Sequence, residues 1–296
     1  MSWRAFQARQ RVAEIGDQYI SFIEEGSGPP VVLIHGIPTW GYLWIRLIPA
    51  LAQRFRVLVP DLAGFGFSDK RDQFDRSIAR QADYLDAWMQ TIGIDRAAIV
   101  GHDIGGGVAL RLATLMPKRV ERLCVMNTVC YDSWPIELML QLGHPGADRR
   151  LSARMMTALL GRALKGGFRS SPPAAFLDGL LAPYTTDAGK LSLIRNASAL
   201  NTNLTTEITR HLTALRIPTM ILWGAEDRFQ PIEYGRRLAD DIPGSRFEAI
   251  PKASHFVMVD RPQAVLDRLQ DFLLAPDRGR DLPAPARRGH DVTRAG

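Results

Sequence analysis

Six consecutive residues, Gly101-His102-Asp103-Ile104-Gly105-Gly106, carry the strongest chemical signal in the chain. They lie between the apolar run AAIV and a helical pattern beginning near Gly106. A G-x-nucleophile-x-G turn from strand to helix holds its central residue in a strained conformation, and its glycines let the two elements approach closely. The helix N-terminus adds backbone N–H groups and the positive end of a dipole. The central residue here is aspartate in place of serine or cysteine. A carboxylate is already ionised at neutral pH, so it can attack an sp3 carbon directly and form an ester with the substrate. Breaking that ester requires a water activated by a base, and donors for the oxyanion of the tetrahedral intermediate.

Candidates for each role follow in the chain. Of six histidines, His255, in Ala253-Ser254-His255-Phe256 after the last strand candidate RFEAIP, is the expected base. His35 and His102 adjoin loops that build the site, while His144, His211 and His290 fall in an intervening helical region, its edge and the tail. The expected orienting acid is Asp227, in Trp223-Gly224-Ala225-Glu226-Asp227 just past the run TMILW, with Glu226 as its rival. The order nucleophile, acid, histidine favours Asp227, which would fix the tautomer of His255 and stabilise the imidazolium. The expected oxyanion donors are the backbone N–H groups of Ile104 and of Ile37, the latter in His35-Gly36-Ile37-Pro38 after the run VVLI.

The elements that must carry these residues are legible as a repeating unit. After an N-terminal hairpin (QRVAEIG, then QYISFIEEG), short apolar runs VVLIHG, RVLVPD, AAIVGH, RLCVMNTV, TMILWG and RFEAIP alternate with helical patterns. Continuous apolar runs of this length suit a parallel sheet covered on both faces. The helical patterns at 43–53, 77–91, 106–116, 232–241 and 262–274 supply the crossovers. The fold class is α/β, a mostly parallel doubly wound sheet. The alternation stops after Val129, and a helical stretch intervenes before Thr219. We expect a first core part at 1–130, an inserted helical cap at 131–212, a second core part at 213–275 and a disordered tail at 276–296.

Composition narrows the class. The 296 residues are 46% hydrophobic and 23% charged, with a net charge of +6, an ordinary globular balance. The basic residues are scattered, with no aromatic-interleaved stripe or reader motif, so nucleic-acid binding is not expected. Two cysteines, Cys124 and Cys130, exclude a disulfide framework and point to a reduced, cytoplasmic setting. No run reaches the roughly 20 apolar residues of a membrane span, and the start lacks a secretory pattern. No metal-ligand cluster or phosphate-cradling loop occurs, so no cofactor or metal is expected. The expected partner is a small-molecule substrate, bound by a monomer or homodimer.

The strings HGIPTWGYLW, PDLAGFGFSDK, GHDIGG and ASHFV resemble the α/β-hydrolase superfamily from about Val31 to Leu274. Within it they are similar to the Asp-nucleophile branch of haloalkane dehalogenases and, less closely, epoxide hydrolases. The resemblance implies an α/β-hydrolase fold with a cap, and hydrolysis of a carbon–halogen bond through an aspartyl ester. Asn127 at the end of RLCVM is similar to a dehalogenase subfamily whose acid follows the next strand, where Asp227 lies. Two positions depart from the pattern. Dehalogenases place a tryptophan directly after the nucleophile to hold the halide, and a second donor after His-Gly, where this chain has Ile104 and Ile37. Trp134, Trp40 or Trp44 would have to replace them. Epoxide hydrolases use cap tyrosines, for which this region offers Tyr131 and Tyr184, neither at the family's usual position. The resemblance thus implies a substrate site drawing on Trp40, Trp134, Tyr131, Tyr184 and Asn127. An ester or haloacid hydrolase, or a non-catalytic ligand-binding member of the fold, are the other readings.

Overall fold

The computed structural model describes residues 1–276 of the chain. The expected tail, apart from Pro276, lies outside the described residues. Eight strands form one sheet in the order β1-β2-β4-β3-β5-β6-β7-β8. β1 (Arg11–Ile15) and β2 (Gln18–Glu25) are the expected hairpin, and β2 runs antiparallel to β4 (Arg56–Pro60). β3 (Pro30–Ile34), β4, β5 (Ala97–His102), β6 (Val120–Met126), β7 (Thr219–Gly224) and β8 (Arg246–Ile250) are parallel.

The apolar runs have the two-residue period of a sheet buried on both sides. Val31, Leu33, Val57, Val59, Val100 and Met126 enter one buried cluster. Their neighbours Val32, Ile34, Leu58, Ile99 and Val125 enter the other. The helix Ile104–Leu115 starts directly after Asp103 and is buried from Ile104 through Ala113, which accounts for its almost wholly apolar sequence. The helix Ile78–Thr91 is amphipathic and is capped by Ser77, whose hydroxyl accepts the Arg80 N–H. The pattern at 43–53 does not form one helix. It divides into a 3-10 turn, Gly41–Trp44, and the short helix Ile48–Leu51, because Pro49 has no N–H to continue a preceding helix.

From β3 the chain moves outward to β4 and then crosses back to β5 on the other side of β3. The C-terminal ends of β3 and β5 therefore meet where the winding reverses, the usual place for a ligand crevice in such sheets. Over this edge lies the chain between β6 and β7, whose longest helices are Ala153–Lys165 and Asp187–Ser198. Both have side-chain N-caps, from Ser152 and Thr186. Among the described residues no helix is long and apolar enough to cross a membrane.

Candidate active site

Asp103 sits at φ +54°, ψ −124° as the N-cap of the helix Ile104–Leu115, a conformation that side-chain-bearing residues seldom adopt. Strain of this kind persists only where the surroundings over-determine it. Here the Asp103 carbonyl accepts the N–H groups of Gly106 (3.0 Å), Gly107 (3.3 Å) and Val129 (3.1 Å), and the Thr128 hydroxyl at 3.2 Å. Two glycines make room for the turn. A Cβ on Gly36 would overlap the Asp103 side chain, and one on Gly105 would run into the carbonyls of Ile34 and His35.

The Asp103 carboxylate is divided between two neighbours. Oδ1 accepts the backbone N–H of Ile37 at 2.8 Å. Oδ2 lies 3.7 Å from Nε2 of His255, beyond a hydrogen bond, so it remains open to a third atom. Burial pushes the Asp103 pKa above its ordinary value. The charge of His255 and the amides of Ile104 and Ile37 act in the opposite direction. The expected pair of oxyanion amides therefore surrounds the carboxylate in the free protein.

His255 is held on its other side by Asp227. Its Nδ1–H donates to Asp227 Oδ2 at 3.0 Å, which turns the Nε2 lone pair toward Asp103. The Asp227 carboxylate is out of solvent and accepts three further hydrogen bonds. These come from Asn127 Nδ2 (2.6 Å) and from the N–H groups of Phe229 (2.7 Å) and Gln230 (3.1 Å). Glu226, the rival, has a side chain 45% exposed and pairs with Arg169 at 2.6 Å. Burial pulls the His255 pKa down, but the charge and hydrogen bond of Asp227, with the charge of Asp103, outweigh it and leave the pKa above 6.5.

Two other buried histidines are part of the frame. His102 Nε2 bonds the His255 carbonyl at 3.0 Å, and burial keeps its pKa well below 6.5. His35 accepts the Leu62 N–H on Nε2 at 2.9 Å, with its pKa pulled to about 4 by burial. Both rings are therefore neutral supports at pH 7. Asp61 accepts from Gly41, Phe67 and Gln10, and Asp69 from Arg71, so these carboxylates shape their loops.

Asp103 and His255 face a cavity of about 550 Å³, part of it open to solvent. Ile37, Ile104 and Val129 contribute from the sheet edge, and Leu138, Met139, Leu160 and Leu164 from the helices above. Of the side chains named above for the substrate site, only Trp134 borders this cavity, and its indole N–H is spent on Thr205 Oγ1 at 2.8 Å. The others require correction. Trp40 is fully buried outside the cavity and donates to the Gly179 carbonyl at 2.9 Å. Tyr131 donates to Asp241 at 2.6 Å, and Tyr184 bonds the Thr39 carbonyl at 3.4 Å. Asn127, at φ +44°, stands behind Asp227 and accepts the Gly224 N–H at 3.1 Å. Trp44 lies in the core and not on the cavity. Each of these side chains is committed to packing or to a protein partner. The sequence reading missed Phe229 and Gln230, both of which line the cavity.

Residues 29–262 match the α/β hydrolase fold family. The chain is 28% identical to haloalkane dehalogenase 2 of Mycobacterium tuberculosis, over 83% of this chain and 88% of that protein. It is 25% identical to a cis-3-alkyl-4-alkyloxetan-2-one decarboxylase of Shewanella oneidensis, over 86% of this chain and 85% of the relative. Among solved structures it is similar to an α/β hydrolase fold protein from Burkholderia ambifaria. The TM-score is 0.81 at 28% identity, with 88% of this chain and 99% of the other covered.

Proposed function

Because this chain belongs to the α/β hydrolase fold family, we propose that it hydrolyses an apolar substrate through an ester on Asp103. The leading substrate is a haloalkane. The observation that supports this reading is the split carboxylate in an apolar cavity, with Oδ1 already on the Ile37 amide and Oδ2 free beside His255. Oδ2 attacks the carbon bearing the leaving group, and Oδ1 becomes the ester carbonyl without moving. His255 Nε2 then takes a proton from a water that attacks the Asp103 carboxyl carbon. The oxyanion forms on Oδ1, where the amides of Ile37 and Ile104 meet it. Asp227 holds the imidazolium, and the helices of residues 131–212 act as the cap that keeps the site dry.

A His255→Phe variant tests the reading. Incubated with a bromoalkane, it should accumulate an alkyl adduct on Asp103, measured by intact mass. Wild-type turnover in heavy-oxygen water should place the label in the same side chain. An unlabelled Asp103 after many turnovers would sink the proposal.

A second reading is favoured by the missing indole and phenol donors. In the 3,4-dialkyl oxetan-2-ones named for the Shewanella relative, attack on the ring carbon bearing oxygen breaks that C–O bond, and the expelled carboxylate stays tethered. Loss of carbon dioxide then sends its electron pair into the new C=C bond and releases the Asp103 carboxylate without water. Under this reading His255→Phe would still produce alkene from such a lactone, and no label would enter Asp103.

A further inference from the structure

We propose that the carboxamide of Gln230 is the leaving-group subsite, a donor for the monoanion, halide or carboxylate, expelled from the carbon that Asp103 attacks. The proposal rests on the aspartyl-ester reading and assigns a role that neither the tryptophans nor the tyrosines of this chain fill. Four side chains bordering the cavity carry nitrogen or oxygen: Asp103, His255, Trp134 and Gln230. The first two are the reacting pair, and Trp134 is bonded to Thr205. Gln230 is 2% exposed, yet its Oε1 is buried without a partner. Its hydrogen bonds within the protein are made by its backbone, the N–H donating to Asp227 and the C=O accepting from Trp223. Of the nine buried side-chain polar atoms without a partner among the described residues, Oε1 of Gln230 is the one whose residue lines the cavity, and such a group calls for a functional explanation. Swapping its O and N, a choice hydrogen positions do not settle, still leaves the group unbonded.

The position suits the task. The turn that gives Asp227 two backbone donors, at Phe229 and Gln230, also brings residue 230 to the cavity beside His255, whose ring meets Phe229 at 5.2 Å. In the first step the bond from Oδ2 to carbon forms as the carbon–leaving-group bond breaks, and the electron pair departs with the leaving group. No proton moves. The developing charge therefore needs a donor already in place, and Gln230 lines the cavity with a side-chain amide that has no hydrogen-bond partner among the described residues, so a turn about its last side-chain bond can present the N–H to the departing group. Because the amide carries no charge, its burial is compatible with the surrounding leucines.

The test compares wild type with Gln230→Leu and Gln230→Met, measured as single turnovers with a 1-bromoalkane and with a 3,4-dialkyl oxetan-2-one. Adduct formation and adduct breakdown, by hydrolysis for the bromoalkane or by loss of carbon dioxide for the lactone, are followed separately by intact mass. Loss of the donor should slow adduct formation by about 10²- to 10³-fold, the range for a single anion-stabilising donor, with hydrolysis of a preformed adduct nearly unchanged. The substrate whose adduct formation suffers identifies the leaving group as halide or carboxylate. A role confined to supporting Asp227 would produce the opposite split, slow hydrolysis with normal adduct formation, and would overturn the proposal. So would equal rates in all three proteins. Titration of the free enzymes with bromide and with acetate, read by tryptophan fluorescence, is independent of turnover. If wild type forms no adduct from either substrate, the ester reading fails. Anion affinity weakened at least tenfold in both variants would still support the subsite, and affinity unchanged would overturn it.

Discussion

At the sheet edge the Asp227 carboxylate accepts four hydrogen bonds, whereas the helices facing it give the same cavity Leu138, Met139, Leu160 and Leu164. The edge is a polar network whose members hold one another in single positions, as a buried carboxylate and imidazole require. The helical wall makes contacts of similar strength with many apolar shapes. Changes at the edge should therefore act on rate and leave substrate choice alone, while changes in the wall should do the reverse.

The largest effect should come from Asp103→Ala, which removes the proposed nucleophile and should lower turnover by about 10⁴-fold or more. Its check is product release on a mixed panel of haloalkanes, lactones and epoxides. Asp227→Asn should follow, at about 10⁴-fold, since an amide lets the imidazole adopt the wrong tautomer. Glu226→Gln should stay within about twofold, being an exposed change. Equal losses in these two variants would break the assignment of the acid. Single-turnover kinetics should place the Asp227→Asn loss in ester hydrolysis.

A smaller effect is expected from pH, and it sharpens the contrast between activity and stability. The folded-state pKa of His255 is raised above 6.5. Its proton thus stabilises the fold fully below pH 6.5, and this contribution fades as pH rises through the folded value. Hydrolysis needs the neutral base, so its rate should climb as pH rises and the imidazole loses its proton. Esterified Asp103 no longer contributes a charge to His255, so the limb for hydrolysis should lie at lower pH than the free-enzyme titration. Measuring both by NMR and stopped flow checks the shift. The mildest catalytic effect should come from Leu160→Ala in the helix wall. It should cost about 2 to 3 kcal/mol of stability by denaturant titration, admit bulkier substrates, and leave ester hydrolysis within a few-fold.

The same contrast explains what could be read in advance. Asp103 is legible because its glycines have a local steric reason, and Asp227 and His255 because strand order fixes which loops meet at the edge. That the amides of Ile37 and Ile104 lie at the Asp103 carboxylate follows from their positions after a strand and at a helix start. Trp40, Tyr131 and Tyr184 were not legible as buried structural groups. Their destinations depend on how helices far apart in sequence pack, as the bonds to Gly179, Asp241 and Thr39 illustrate. Asn127 belonged to the site at one remove, behind the acid and not on the cavity. Gln230 had a local signal that went unused, its place three residues after Asp227 in a turn at a strand end.

The segment carrying His255 is anchored from two sides. Its carbonyl is bonded by His102 of β5, and the next residue, Phe256, donates its N–H to Gly167 at 3.1 Å, just past the helix Ala153–Lys165. The loop is thus fastened both to the sheet and to the helical segment above the cavity, the roof under the proposed reading. Lifting the roof to admit a molecule would pull on the histidine loop, so entry and the second chemical step would share one mechanical joint.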